Sequence, residues 1–278
     1  MKKIGFIDYY LDEWHANNYP EMIRNECGDE MQVCYAYGKI DSPIGGMTNR
    51  EWAEKYHIEL QPSIDVLLEK SDFIIVLSPD NPEMHEELSE AALKSGKRVY
   101  IDKTFANDTA TAKRMFDLAE EKGTKMFTSS ALNYSDELKA TDKDGISNVN
   151  SRGGGLLEMY CIHQIEPVVV LMGNRPRRAM FTGSEEFPAY TVEFDNGRYA
   201  HISQLGGDFA MDIAYGVGEI KQFTVKSDYF GNFISALVEF FRTGEPPVCK
   251  EQTMTVIAVR EAVIKAKEKP FSWVDIEC

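Results

Sequence analysis

The sequence predicts an α/β protein in two parts: a doubly wound parallel sheet over residues 1–130, then an α+β part over 131–278 with an open, mostly antiparallel sheet. Three observations predict it. The first half alternates short β-branched apolar runs with amphipathic helical stretches, the pattern of βαβ units around a parallel sheet. After about Ser130 the texture changes to a polar stretch, a triple glycine, and strands separated by Gly- and Asp-bearing turns. A length of 278 residues, set against roughly 150 for a typical domain, suits two modest domains.

In order, the expected strands of the first part are Lys3–Ile7, Met31–Ala36, a weak one near His57–Leu60, Asp72–Leu77, Arg98–Ile101 and Lys125–Thr128. Between the clearest pair, Met84–Ser95 places Leu88, Ala91 and Ala92 on one face and stops at Gly96, which reads as an amphipathic crossover helix. In the second part, Tyr190–Phe194, Asp195-Asn196-Gly197 and Arg198–Gln204 read as a hairpin, because Asn-Gly supplies the positive φ of a tight turn. More strands follow to about Val225, and helices over Phe230–Arg242 and Thr253–Lys269 flank the Gly244-Glu245-Pro246-Pro247 turn. The last helices are expected to return toward the first domain.

Composition bounds the function. Hydrophobic residues make up 43% and charged residues 27%, as in a globular chain with a core, and a formal charge of −15 opposes nonspecific binding to nucleic acid or anionic lipid. A small-molecule partner is expected, with neither nucleic acid nor membrane. The 5 cysteines form no Cys-x-x-Cys pair, so no disulfide framework and no metal site is expected. The apolar run at the start ends at Asp8, too early for a secretory signal, and a cytoplasmic location is expected.

Ligands of a doubly wound sheet bind beyond the carboxyl ends of its strands, where strand order reverses. Three segments therefore stand out: Asp8 to His15 after the first strand, Ser78 to His85 after the fourth, and Asp102-Lys103-Thr104 after the fifth. The stretch Asp72 to Ala106 resembles the Gfo/Idh/MocA oxidoreductases, in which a strand, a proline turn, a histidine-started helix and a further strand lead into Glu-Lys-Pro. Asp102-Lys103-Thr104 stands at that last position. His15-Ala16, the span from Gly153-Gly154-Gly155 to His163, and Gly244-Glu245-Pro246-Pro247-Val248 resemble other landmarks of the same family.

The resemblance implies a Rossmann-like first domain and an NAD- or NADP-dependent oxidoreductase that moves hydride at a hydroxyl-bearing carbon of a sugar, polyol or related molecule. It implies Lys103 as the positioning and electrostatic residue and His163 as general acid/base, with Tyr160 and Glu166 beside it on the helix. Near neutral pH an imidazole is suited to taking a hydroxyl proton, and a nearby cation to stabilising the alkoxide. It further implies substrate contacts from Lys103, Asn133, Tyr134 and His163, and cofactor contacts from Asp8, Tyr9, Tyr10, Lys39, Ser78, Pro79, His85, Asp102 and Lys103. A homodimer or higher homo-oligomer is expected with it.

The chain departs from the pattern. An Asp often found four positions before the histidine is Met159 here, and an Asn-x-Arg element keeps Asn133 and lacks the arginine. A dinucleotide fingerprint needs glycines after the first strand for the tight turn and for close approach to pyrophosphate. Here the loop is Asp8-Tyr9-Tyr10-Leu11-Asp12-Glu13, with no glycine and three carboxylates, which oppose an anion at a helix N-terminus. No acidic residue follows Met31–Ala36 before Asp41 to bind ribose; Lys39 would suit a 2′-phosphate or serve as a surface charge. A noncatalytic sugar- or nucleotide-sensing protein on the same scaffold is the competing expectation, with a lyase or isomerase behind it.

Overall fold

A computed structural model describes residues 1–173 and 175–277. Backbone contacts divide the chain into two compact units, residues 1–128 with 231–249, and residues 129–230 with 250–278.

The first unit is a doubly wound sheet. Its elements run β1 (Lys2–Asp8), α1 (Trp14–Cys27), β2 (Met31–Gly38), α2 (Asn49–Tyr56), β3 (Glu59–Leu60), α3 (Ile64–Lys70), β4 (Phe73–Val76), α4 (His85–Leu93), β5 (Arg98–Ile101), α5 (Thr109–Lys122) and β6 (Met126–Phe127). Each expected strand is present, and all pairings are parallel in the order β3-β2-β1-β4-β5-β6. Strand order reverses between β1 and β4, so the crevice of this sheet opens beyond Asp8 and Val76. Every residue of β4 is buried, as in a central strand covered on both faces. Helix starts are fixed by side-chain caps: Glu13 on α1, a Thr48–Glu51 capping box on α2, Ser63 on α3 and Asp108 on α5.

The second unit holds α6 (Asp136–Lys139), β7 (Asn148–Gly153), α7 (Leu157–Tyr160), α8 (Ile162–Met172), β8 (Pro176–Phe181), β9 (Ala189–Phe194), β10 (Arg198–Gln204), β11 (Ala210–Ala214) and β12 (Ile220–Thr224). Then come α9 (Tyr229–Thr243), most of which belongs to the first unit, and α10 (Lys250–Lys267) with β13 (Trp273–Asp275), which belong to the second. The sheet order is β12-β11-β7-β10-β9-β8-β13, antiparallel except for β7 against β10. Alternate residues are buried, such as Val149, Ser151 and Gly153 on β7 and Ala200, Ile202 and Gln204 on β10, giving a sheet with one face in the core. The β9–β10 hairpin closes over Asp195-Asn196-Gly197 as expected: Phe194 pairs with Arg198, and Asn196 and Gly197 carry positive φ of 63° and 69°.

Aromatic contacts explain the assignment of α9. Phe233 lies 5.9 Å from Tyr19 and 5.2 Å from Tyr100, Phe240 lies 4.9 Å from Phe127, and Phe241 stacks on Phe73 at 4.8 Å. These rings are almost fully buried and belong to the core of the parallel sheet.

Candidate functional site

At the crevice of the first unit the loop after β1 is closed by its own side chains. Asp8 is 1% exposed; its Oδ1 accepts from the Tyr9 N–H at 2.7 Å, and its Oδ2 is buried with no hydrogen-bond partner. Burial, reinforced by Glu13, holds the Asp8 carboxyl well above the usual carboxylate range. Tyr10 and Leu11 are buried, and the Leu11 N–H donates to Asn49 Oδ1 at 3.0 Å. Asn49 donates in turn to the carbonyls of Gly38 and Ile40, which pins the end of β2. Glu13 caps α1, accepting from the His15 N–H at 2.7 Å and the Ala16 N–H at 2.5 Å.

Asp102, at the end of β5, is 1% exposed and accepts from the Tyr100 hydroxyl at 2.9 Å. His15 Nε2 and Lys103 Nζ each lie 3.9 Å from its Oδ2, and His15 Nδ1 lies 2.9 Å from Glu13. Burial opposes charge at both Asp102 and His15. It is outweighed: His15 and Lys103 hold the Asp102 carboxyl below its usual range, and Asp102 with Glu13 raises His15. Lys103 is half-buried and also donates to the Pro79 carbonyl at 3.2 Å. Ser78, just after β4, has a positive φ of 79° without being glycine, an unfavourable backbone state of the kind that gathers at functional loops. Its hydroxyl donates to the Asn81 carbonyl.

Two residues expected to touch a cofactor are otherwise engaged. His85 has no exposed surface; its Nε2 lies 2.6 Å from the Leu77 carbonyl and its Nδ1 2.9 Å from that of Thr104, so the ring ties the ends of β4 and β5 together. Burial pushes it below the ordinary histidine range. Lys39 is ion-paired with Glu87 at 2.6 Å.

In the second unit, the segment after β6 meets the start of α8. Ser130 Oγ lies 2.6 Å from His163 Nδ1. Glu166 accepts from Ser129 Oγ at 2.7 Å, from the Ser130 N–H at 2.6 Å and, more weakly, from Asn133 Nδ2 at 3.5 Å. The expected orientation of the ring by Glu166 thus runs through Ser130, because Glu166 grips the backbone that carries this hydroxyl. Burial raises the Glu166 carboxyl to about 7, against the Ser129 and Ser130 hydrogen bonds. Within α8 every residue except His163 and Val170 is buried, so the polar cluster reaches the surface at the imidazole and at Asn133. Pro167, four residues on, lacks the N–H that would bond the His163 carbonyl.

The single helix expected through this segment is divided at Cys161, with Tyr160 ending α7 and His163 opening α8. The rings of Tyr160 and His163 are still 5.5 Å apart. Gly155 has φ of 97°, and a Cβ there would collide with the Tyr160 ring, so the triple glycine admits this tyrosine. Tyr160 is 42% exposed, whereas Tyr134 is buried. Lys103 and His163 lie in different units.

Sequence reasoning missed Ser129, Ser130 and Asn49. A serine pair directly after a strand is a detectable signal for a polar loop. Nothing in the sequence pairs Asn49 with a loop 38 residues earlier. Among the described residues no group of three or more His, Cys, Asp or Glu is placed to hold a metal ion, and no helix is long and apolar enough to cross a membrane.

The β1 loop departs from the glycine-rich dinucleotide loop of this fold. It has no glycine and carries Asp8, Asp12 and Glu13, and Asp8 Oδ2 is buried without a hydrogen-bond partner. Residues 44–130 match the model of the Gfo/Idh/MocA group, described as an oxidoreductase family with an NAD-binding Rossmann fold; the match starts after β1, its loop and α1. A 67-residue segment is 34% identical to the uncharacterized oxidoreductase YhhX of Escherichia coli (strain K12), covering 24% of this chain and 19% of that protein. Over its whole length the fold is that of GenD2 from gentamicin A biosynthesis, solved with NAD (TM-score 0.81, 13% identity, 100% and 97% of the two chains). It is also that of myo-inositol 2-dehydrogenase from Lactobacillus plantarum (TM-score 0.79, 14% identity, 99% of each chain).

Proposed function

For a chain whose residues 44–130 match the Gfo/Idh/MocA oxidoreductase family, we propose action at a hydroxyl-bearing carbon of a sugar, polyol or related small molecule, with His163 exchanging the hydroxyl proton. The observation that carries this reading is the Ser130–His163 contact at 2.6 Å, backed by Glu166. Ser130 engages Nδ1, which fixes the orientation of the ring, and an imidazole so held is suited to exchanging a proton near neutral pH. Glu166 is a positioning residue: its two carboxylate oxygens set the Ser129–Ser130 segment and through it the tilt of the imidazole. Tyr160, exposed beside His163, supplies an aromatic edge with a hydroxyl, suited to a ligand with both apolar and hydroxyl faces.

The family model implies a nicotinamide as hydride partner. Because the β1 loop departs from the glycine-rich loop that holds that dinucleotide in this fold, no hydride step is assigned to residues of this chain. The same departure favours a second reading, a noncatalytic protein that binds the same class of ligand. Calorimetry with NAD+, NADH, NADP+ and NADPH, followed by a panel of polyols and sugar phosphates, separates the two. Polyol binding whose linked proton uptake, but not its affinity, is lost in His163→Gln supports the proposal. Polyol binding with no proton linkage and no turnover with any cofactor supports the second reading, and no binding across the panel overturns both. Light scattering on the same material measures the homodimer or higher oligomer that goes with the first.

A further inference from the structure

We infer that the phosphate site at the N-terminus of α1 is filled from within: Glu13 stands where a dinucleotide's diphosphate docks in this fold, and the chain does not hold NAD(H) or NADP(H) by that contact. A Rossmann crevice binds diphosphate with backbone N–H groups of the loop after β1 and of the first helical turn, aided by the helix dipole. Here five of those donors are already engaged. The Tyr9 N–H donates to Asp8 Oδ1 at 2.7 Å, the Leu11 N–H to Asn49 Oδ1 at 3.0 Å, and the Glu13 N–H to the Leu11 carbonyl at 2.9 Å. The His15 and Ala16 N–H groups donate to the two carboxylate oxygens of Glu13 at 2.7 and 2.5 Å.

The Glu13 carboxylate therefore has the position and the charge sign of the missing phosphate. It is held there by a second partner, since His15 Nδ1 also lies 2.9 Å from it. Glu13 is 8% exposed, so an arriving anion would have to displace a buried carboxylate that is both capping a helix and facing a histidine. Asp12 closes the other side, accepting from Asn17 Nδ2 at 3.1 Å and from the Met47 N–H at 2.8 Å. Tyr10 and Leu11, buried where the fingerprint has small residues, fill the space that close backbone approach needs.

The test is a gain of binding. Glu13→Ser keeps a good helix cap and shortens the side chain; Glu13→Gln keeps the shape and removes the charge. Calorimetry with NADH, NADPH and ADP, the last a probe for the diphosphate alone, is expected to give dissociation constants of ~1 mM or weaker for the natural chain. Glu13→Ser is expected to tighten all three by at least ~10-fold, and Glu13→Gln by less. Thermal melting establishes that each variant is folded, and Glu13→Gln decides the matter where Glu13→Ser is not. Submicromolar binding by the natural chain overturns the inference. So does a folded variant that binds no tighter, or a gain confined to the nicotinamide-bearing ligands. None of these readouts involves His163 or a polyol, so the proposal above stands or falls separately.

Discussion

Two strand ends treat their polar groups in opposite ways. After β1, the carboxyl groups of Asp8, Asp12 and Glu13 are packed against backbone donors, with His15 facing Glu13. After β6, one carboxylate, Glu166, takes the Ser129 hydroxyl and the Ser130 N–H, and the hydroxyl left over is handed to His163 at the surface. A polar network closed on backbone donors rigidifies; one that includes a half-buried imidazole can exchange a proton. The difference lies in where each network ends, since both are built from the same residue types.

The largest effect that separates them is expected at His163. Replacing it with glutamine should lower turnover of a hydroxylated substrate by ~10²–10⁴, the range of a positioned general base, with KM little changed. A loss confined to KM would make His163 a binding residue only. The corresponding substitution in the network after β1, His15→Gln, should leave turnover within a few-fold.

Next in size is the pH dependence contributed by Glu166. Its carboxyl, raised to about 7 from an ordinary 4.5, binds a proton more tightly folded than unfolded. The stabilisation it gives is therefore full below pH 4.5 and is lost as pH rises through 7, a swing on the order of 3 kcal/mol for a fully buried group. Glu166→Gln should flatten unfolding free energy against pH over that window. A carboxylate in the same unit works the other way: Glu137, despite burial, is lowered to about 2 by the Ser227 hydroxyl and the Lys226 and Ser227 N–H groups. Its stabilisation is present above 4.5 and fades as pH falls toward 2. A stability profile unchanged in Glu166→Gln would mean that Glu166 is ionised at neutral pH.

Asp102→Asn probes the network after β1, with an expected loss of ~2 kcal/mol, because removing one charge leaves His15 and Lys103 facing an amide in a buried place. His15 is raised in part by Asp102, so its titration followed by NMR should move down in the variant. The stabilisation from protonated His15 is full below the ordinary histidine value and disappears as pH rises through the higher folded value. A His15 titration that does not move would assign its shift to Glu13 alone.

The sequence made the fold legible because each strand of the first sheet is a short apolar run, and strands such as Phe73–Val76 are buried along their whole length. Lys103 and His163 were legible as positions after a strand and on an apolar helix. Their partners were not, since the grip of Glu166 on Ser129 and Ser130 spans 36 and 37 positions and appears in no local pattern. The acidic loop could be read as hostile to a phosphate, but its mechanism could not. Glu13 as helix cap depends on the β-region backbone of the residue, φ −138° and ψ 168°, which places the carboxylate over its own helix end. His85, placed at a strand end by the same rule as Lys103, turned inward because three backbone carbonyls lie within reach of its ring.

The smallest expected effect is at Lys39, and it sharpens the comparison at the rim of the crevice. An unpaired lysine after β2 would meet a 2′-phosphate and favour NADPH over NADH. Lys39 instead holds Glu87 at 2.6 Å, with 33% and 61% of the two side chains exposed, so the pair is screened and contributes ~0.2–1 kcal/mol at most. Lys39→Ala should change unfolding free energy by less than ~1 kcal/mol. In the Glu13→Ser background, where binding becomes measurable, it should leave the NADPH-to-NADH affinity ratio unchanged. Glu87→Gln in that background should shift the ratio toward NADPH by a few-fold, because it releases the ammonium without removing it. A ratio that falls in Lys39→Ala while Glu87→Gln has no effect would show that the lysine leaves its partner to meet a ligand, and that the crevice is less closed at β2 than at α1.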